Sequence, residues 1–334
     1  MFPIVVKISQ ELIDVMEEER RRGPIETKDA SARYTTDIIE FRVQGKRLFA
    51  LTKTELLSNL MSFLFPNFMR FCNVRFFPKV ATDFFWKIIK DTTEYREKNS
   101  VVRNDAIQLL LDMKNGTSKD NILTFDELAA QAFVFFVAGF DTSSSLISFA
   151  LLELAMNEDV QNELRNEINT VLRRYNGEYT YEMLGDLPYA DMVISETLRK
   201  YPPIPSLTRV CTKDYRIPGT DVIIPKGLRV FIPIQGIHND PEIYPNPQKF
   251  DPTRFSHENK NKRHQFSFIP FGEGPRICLG LRFAMIQTKI CLAMMIKTFK
   301  LTLNSKTTLP LKFDPMKFFP CPLGGLWIDL EKIE

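Results

Sequence analysis

Phe271-Gly272-Glu273-Gly274-Pro275-Arg276-Ile277-Cys278-Leu279-Gly280 is the stretch on which the reading of this chain turns, because it sets one cysteine in surroundings suited to a metal-bound thiolate. Glycines at 272, 274 and 280 let backbone pass close to a flat ligand, where a Cβ would collide. Pro275 stiffens the loop, and Arg276 places a permanent cation two residues before the sulfur. Beyond Gly280, Phe283, Ile286, Ile290 and Met294 recur at helical spacing. Cys278 therefore stands just ahead of a helix N-terminus, whose free N–H groups and dipole favour S⁻ over SH. By itself, a lone Cys among apolar residues is most often an inert core residue.

The spacing shifts that balance. The pattern F-x-x-G-x-R-x-C-x-G fixes five positions, and at about one in twenty per position a chance match in a chain of this size is on the order of one in ten thousand. A thiolate with one open side suits an axial ligand to haem iron. The stretch resembles the haem-binding pattern of the cytochrome P450 family. The sequence resembles that family from near residue 1 to the C-terminus, and most of all its insect microsomal members that handle foreign compounds. The resemblance implies a mainly α fold, a large helical domain plus small β-sheets, as one domain over 1–334. It implies heme b (iron protoporphyrin IX), with Cys278 as the iron ligand and Phe271, Gly272, Arg276 and Gly280 around the cofactor.

Two further elements fit the resemblance. Ala138-Gly139-Phe140-Asp141-Thr142 puts a glycine, an acid and a hydroxyl inside a long apolar helix. Gly there costs about 1 kcal/mol relative to Ala, and the polar groups need partners. Alone, this reads more readily as a helix tolerating one Gly, with Thr142 bonded back to its own turn. In the resembled family such an element faces the haem opposite the cysteine: Ala138 and Gly139 open the helix, the Thr142 hydroxyl holds a proton-donating water, and Asp141 relays protons from solvent. Glu196-Thr197-Leu198-Arg199 places opposite charges three apart on one helical face, by itself a common exposed pair. It precedes Tyr201-Pro202-Pro203 and lies upstream of Pro252-Thr253-Arg254-Phe255, the order the family has. The resemblance makes Glu196, Arg199 and Arg254 a structural network behind the cysteine loop, and gives Arg276 and Arg209 to the haem propionates.

The activity so implied is a haem-thiolate monooxygenase that inserts one oxygen atom from O2 into a lipophilic small molecule. Electrons would come from NADPH through a separate NADPH–cytochrome P450 reductase, with cytochrome b5 as a further partner, since no G-x-G-x-x-G fingerprint is evident. The implied location is the cytoplasmic face of the endoplasmic reticulum membrane. Microsomal members begin with a membrane anchor and further helices and strands, including Trp and Arg propionate donors. The chain is therefore expected to lack the anchor and the first elements, and the competing reading is a truncated non-catalytic fragment that does not bind haem stably. A stretch with an Ala-Phe-Gly element, usual between the segments matching Thr35 to Ile39 and Phe41-Arg42, is not found.

Bulk properties set limits. The 334 residues suffice for one large domain or two, and 28 Phe suggest large apolar surfaces. A net charge of +3 is too weak to argue for nucleic acid. Five scattered cysteines (72, 211, 278, 291, 321) make a disulfide framework a poor fit, and the histidines at 238, 257 and 264 have no zinc spacing. No uninterrupted apolar run reaches the roughly 18 to 20 residues of a membrane span. Phe63, Leu64, Phe65, Phe68, Met69 and Phe71 crowd a proline loop; they read as core-facing helices or, by resemblance, as a cavity roof in peripheral membrane contact.

Periodicity predicts helices over 8–22, 28–50, about 124–156, from Val160 to before Gly177, and about 186–200. Thr124-Phe125-Asp126-Glu127 is a capping box. Strands are expected over 216–224 and 228–232, and a hairpin over 313–330 about Leu323-Gly324-Gly325-Leu326. Candidate substrate contacts are Phe136, Phe140, Ile204 to Leu207 and the Leu323 to Leu326 tip, each equally readable as core.

Overall fold

A computed structural model describes residues 2–38, 57–58, 61–62, 65–72, 74, 77–103, 105–116, 123–315, 317 and 319–333. The junction after Ile38, the Phe41-Arg42 segment, Phe63 and Leu64 lie outside the described residues. The elements in chain order are α1 (Phe2–Glu19), β1 (Ile25–Glu26), α2 (Thr27–Ile38), α3 (Pro66–Phe71), α4 (Lys79–Asn99), α5 (Ala106–Asn115) and α6 (Phe125–Met156). There follow α7 (Glu158–Arg174), α8 (Pro188–Lys200), β2 (Leu207–Val210), β3 (Tyr215–Arg216), β4 (Ile223–Ile224), β5 (Arg229–Ile232), α9 (Ile234–His238), α10 (His257–Lys260), α11 (Leu281–Thr298), β6 (Phe299–Leu303) and β7 (Trp327–Lys332). The fold is mainly helical with small antiparallel sheets.

Two compact units divide the chain: Thr36–Phe140, and Phe2–Thr35 with Asp141–Glu334. The first unit gathers Phe85 and Ile89 of α4, Leu111 of α5 and Leu128, Ala129, Ala132, Phe133 and Phe136 of α6 into one apolar cluster. Phe133 meets Phe77 and Phe85 edge-on at 4.9 and 5.1 Å, the geometry the ring quadrupoles favour. The capping box starts α6: Thr124 N–H donates to Glu127 Oε2 at 2.9 Å and Glu127 N–H to Thr124 Oγ1 at 3.2 Å. By length and composition α6 could cross a membrane, but 56% of its most apolar window is buried inside the protein, as in a core helix.

In the second unit α7 buries Val160, Leu164, Ile168 and Val171, the face its 3.6-residue period defines. Past its end at Arg174, Gly177 holds a φ of +81° that suits glycine, and its N–H donates back to Leu172 O at 2.8 Å. The stretch expected as one strand over 216–224 instead folds back on itself, β3 pairing with β4 across a turn in which Gly219 holds φ of +76°. A strand not foreseen, β2, pairs along its length with β5, Leu207 opposite Ile232 and Val210 opposite Arg229.

Two further expectations need correction. α1 ends at Glu19, so Arg20, Arg21 and Arg22 lie past the helix, where Arg20 folds back on Glu17 at 2.6 Å. The C-terminal hairpin over 313–330 reduces to one bridge between Phe313 and Pro322. β7 instead pairs with β6 (Leu301 opposite Leu330) and with β1 (Ile25 opposite Ile328). β6 leaves α11 without a loop and buries Phe299 and Leu301, so it offers β7 a covered apolar face.

Candidate functional site

Three backbone bonds close the cysteine loop: Gly272 N–H to Ile269 O at 3.0 Å, Ile277 N–H to Gly274 O at 3.0 Å, and Cys278 N–H to Phe271 O at 2.8 Å. Gly272 and Gly274 hold φ of +74° and +76°, a region closed to most side chains. Gly280 caps α11, two residues beyond the thiol. A Cβ there would stand 3.9 Å from the Cys278 sulfur, so glycine leaves the space beside Sγ open. Cys278 is exposed, and so are its apolar neighbours Ile277 and Leu279, the latter 98%. Along α11, residues 281–286 are only partly covered or exposed, whereas 287–296 are buried. Half-buried Phe271 adds an aromatic side.

This arrangement fits an iron porphyrin. It joins one accessible sulfur donor, an uncovered apolar rim and a glycine where a side chain would fill the gap. Arg209 lies on β2 two residues from Leu207 and on the same strand face; Leu207 Cδ1 would be 3.6 Å from a Cβ on Gly272. Its guanidinium donates to Thr208 O at 3.0 Å. Arg276 is exposed in the loop itself, with no acidic partner among the described residues. Both cations thus stand by the loop, where carboxylates of a bound ligand could meet them.

The helix carrying Asp141 and Thr142 docks on the helix that follows Cys278. Gln287 of α11 donates from Nε2 to Ser143 Oγ of α6 at 2.6 Å, with both residues buried. At 1.5 Å per residue, Gln287 lies about 9 Å along the axis from Leu281. Tyr34 of α2 donates to Gln287 O at 3.0 Å and shares a 2.8 Å bond with Ser9 of α1, so four helices meet through buried polar groups. Asp141 and Thr142 are half-buried. Asp141 Oδ1 accepts from Lys28 Nζ at 2.5 Å; the same ammonium reaches Asp141 O, Ser144 Oγ and Ser145 Oγ at 3.0, 2.9 and 2.7 Å. Ala138 and Gly139 fall in the first unit, Ala138 exposed and Gly139 half-buried. Phe136 is a core residue, 1% exposed, and stacks on Phe140 at 5.9 Å. Of the hairpin-tip candidates, Leu326 is core and Leu323 exposed.

Glu196, Arg199 and Arg254 come together. Arg199, 0% exposed, grips both Glu196 oxygens at 2.7 and 2.9 Å and donates to His238 O and Pro247 O at 2.8 and 2.7 Å. Arg254 Nε stands 3.4 Å from Glu196 Oε1, an ion pair without hydrogen-bond geometry. Asp251 N–H donates to the same oxygen at 3.0 Å. Burial raises the Glu196 carboxyl above its usual range, against the pull of the Arg199 fork, the Asp251 N–H and Arg254. Tyr244 lies under both Arg199 and Arg263 and donates to Ser267 O at 3.1 Å, four residues before Phe271.

Sequence reasoning missed Lys28, Ser143, Gln287 and His238. Lys28 and Asp141 are 113 residues apart, and no local pattern links them. The histidines showed only that they lacked metal spacing.

A family model described as Cytochrome P450 matches residues 1–326. The chain is 40% identical over 351 residues to probable cytochrome P450 6a13 of Drosophila melanogaster, covering 100% of this chain and 71% of that protein. It is 39% identical over 368 residues to cytochrome P450 6k1 of Blattella germanica, covering 99% and 70%. Against cytochrome P450 6A1 of Musca domestica it is 39% identical over 360 residues, covering 100% and 70%.

Proposed function

The chain belongs to the cytochrome P450 family, and from that premise we propose that Cys278 is the thiolate ligand of heme b in a monooxygenase acting on a lipophilic small molecule. One observation carries the reading. The exposed sulfur sits at an apolar rim with Gly280 open beside it, at the head of the helix that Gln287 ties to the Asp141–Thr142 helix.

When bound, the iron porphyrin supplies the oxygen-activating redox chemistry, which thiolate donation favours. The protein does the rest. The loop bonds to Phe271 O and Ile269 O hold the sulfur in place, ahead of the N-terminus of α11 and two residues after the exposed Arg276. Arg276 and Arg209 are the cations for the two propionates. Lys28 fixes Asp141 Oδ1, while Oδ2 carries no hydrogen bond to a described residue and the side chain remains 31% exposed. Asp141 thus keeps a carboxylate oxygen open to solvent, and through it protons would be relayed by way of solvent toward the Thr142 hydroxyl. The Glu196–Arg199–Arg254 network is structural, holding the ground on which the loop rests.

Reducing equivalents come from NADPH through a separate reductase, with cytochrome b5 as a second donor. The two compact units act as parts of one P450 domain at the cytoplasmic face of the endoplasmic reticulum, with exposed Phe65, Phe68 and Phe71 against the membrane surface. The test is uncoupling. Thr142→Ala should bind haem normally yet release reduced oxygen without product, whereas Cys278→Ala should lose haem-thiolate absorption; normal coupling in Thr142→Ala refutes the proton route.

A further inference from the structure

Among the described residues no hydrogen bond runs from the Glu196–Arg199 pair to the cysteine loop. What connects them is His238, the last residue of α9, 0% exposed. Arg199 donates to its carbonyl at 2.8 Å. Its ring then reaches the other way: Ile269 N–H donates to His238 Nε2 at 3.1 Å. Ile269 O in turn accepts the Gly272 N–H at 3.0 Å, and Phe271 O accepts the Cys278 N–H at 2.8 Å. Phe268 stacks on the imidazole at 5.3 Å, fixing the plane of the ring. A nitrogen that accepts cannot carry a proton, so the ring proton is on Nδ1, which is buried beside the backbone carbonyls of Leu198 and Arg199 and short of full hydrogen-bond geometry. A polar ring buried and stacked here, with one nitrogen accepting from the loop and the other turned to the backbone of α8, is a costly choice for space filling.

We infer that His238 is a positioning residue for Cys278: its Nε2 passes the rigidity of the Glu196–Arg199 pair to the loop that presents the thiol. The Tyr244 hydroxyl on Ser267 O is a parallel strut further back. The inference rests on the reading of Cys278 as the haem ligand. Only the geometry of the acceptor matters. A glutamine amide reaches as far as Nε2, whereas an asparagine amide ends near Nδ1.

His238→Gln and His238→Asn, both uncharged and polar, separate the strut from mere packing. In the chain without haem, amide exchange over Ile269–Phe271 reads the strut directly. Exchange should be about tenfold faster in His238→Asn, the equivalent of ~1.4 kcal/mol, and close to the unaltered chain in His238→Gln. In the haem-loaded, reduced, carbon monoxide form, His238→Asn should shift the Soret band from the thiolate position to the unshifted one, and His238→Gln should retain it. Unchanged exchange in His238→Asn, or a His238→Gln chain as impaired or as unfolded as His238→Asn, overturns the inference. If exchange follows the expected order but the unaltered chain gives no thiolate band, the strut is supported and the ligand assignment falls.

Discussion

Arg199→Ala is the perturbation whose cost the structure specifies most fully. The side chain makes four hydrogen bonds, two to Glu196 and one each to the carbonyls of His238 and Pro247; all are buried but the last, which is part-buried. Its removal leaves a buried carboxylate with only Arg254 at 3.4 Å and the Asp251 N–H. Breaking a buried ion pair costs about 3–5 kcal/mol, and each orphaned carbonyl adds roughly 1 kcal/mol or more, not fully additively. A loss of about 5 kcal/mol is therefore expected, comparable with a whole domain's stability. Trp86 lies in the first unit and Trp327 in β7 of the second, so a Trp86→Phe background makes fluorescence report the second unit alone. Urea unfolding of Arg199→Ala in that background should show the loss. Adding Glu196→Gln removes the stranded charge and should restore about 1–3 kcal/mol. A single-variant loss under about 1 kcal/mol, or a double variant weaker than the single, refutes the reasoning.

Burial holds the His238 imidazole down at about 4, the Arg199 charge adding to it against the pull of the Leu198 carbonyl. The unfolded chain takes up that proton near 6.5, so stability should fall by on the order of 3 kcal/mol as pH drops from about 6.5 to 4. His238→Gln should flatten that slope in pH-dependent urea unfolding, and an unchanged slope would contradict the assignment. Thiol labelling at pH 8 should modify exposed Cys72 and Cys278 and spare Cys291, whose thiol burial pushes up to about 12. Preincubation with haem should then protect Cys278 and not Cys72; equal labelling of both contradicts the site. Lys28→Met should cost about 1 kcal/mol in urea unfolding, because the pair is partly exposed and Ser144 and Ser145 still bond Asp141 O. The same variant should lower the product formed per oxygen consumed, and an unchanged ratio would show that Lys28 does not orient Asp141.

What the sequence disclosed was set by range. The capping box of α6 and the amphipathic face of α7 are local, and each formed as its residues imply. The cysteine loop was legible for the same reason: its glycines, proline and helix start lie within ten residues. Glu196, Arg199 and Arg254 were grouped by the order of motifs, since spacing alone left Glu196 and Arg199 an ordinary surface pair. The misses are long-range. β7 finds β6 and β1, Ile25 of the latter standing opposite Ile328 from the other end of the chain, through faces only the folded protein brings together. Lys28 meets Asp141, and Gln287 meets Ser143, through packing of helices distant in sequence. His238 was invisible because a buried acceptor histidine has no pattern of its own.

The central claim is that the sulfur of Cys278 ligates haem iron. The most direct measurement is the absorption spectrum of the haem-loaded, reduced chain under carbon monoxide, taken beside Cys278→Ala. The account predicts the strongly red-shifted Soret band of a thiolate complex in the first and its absence in the second. An unshifted band in a folded, haem-loaded chain, or a red-shifted band that survives Cys278→Ala, would contradict it.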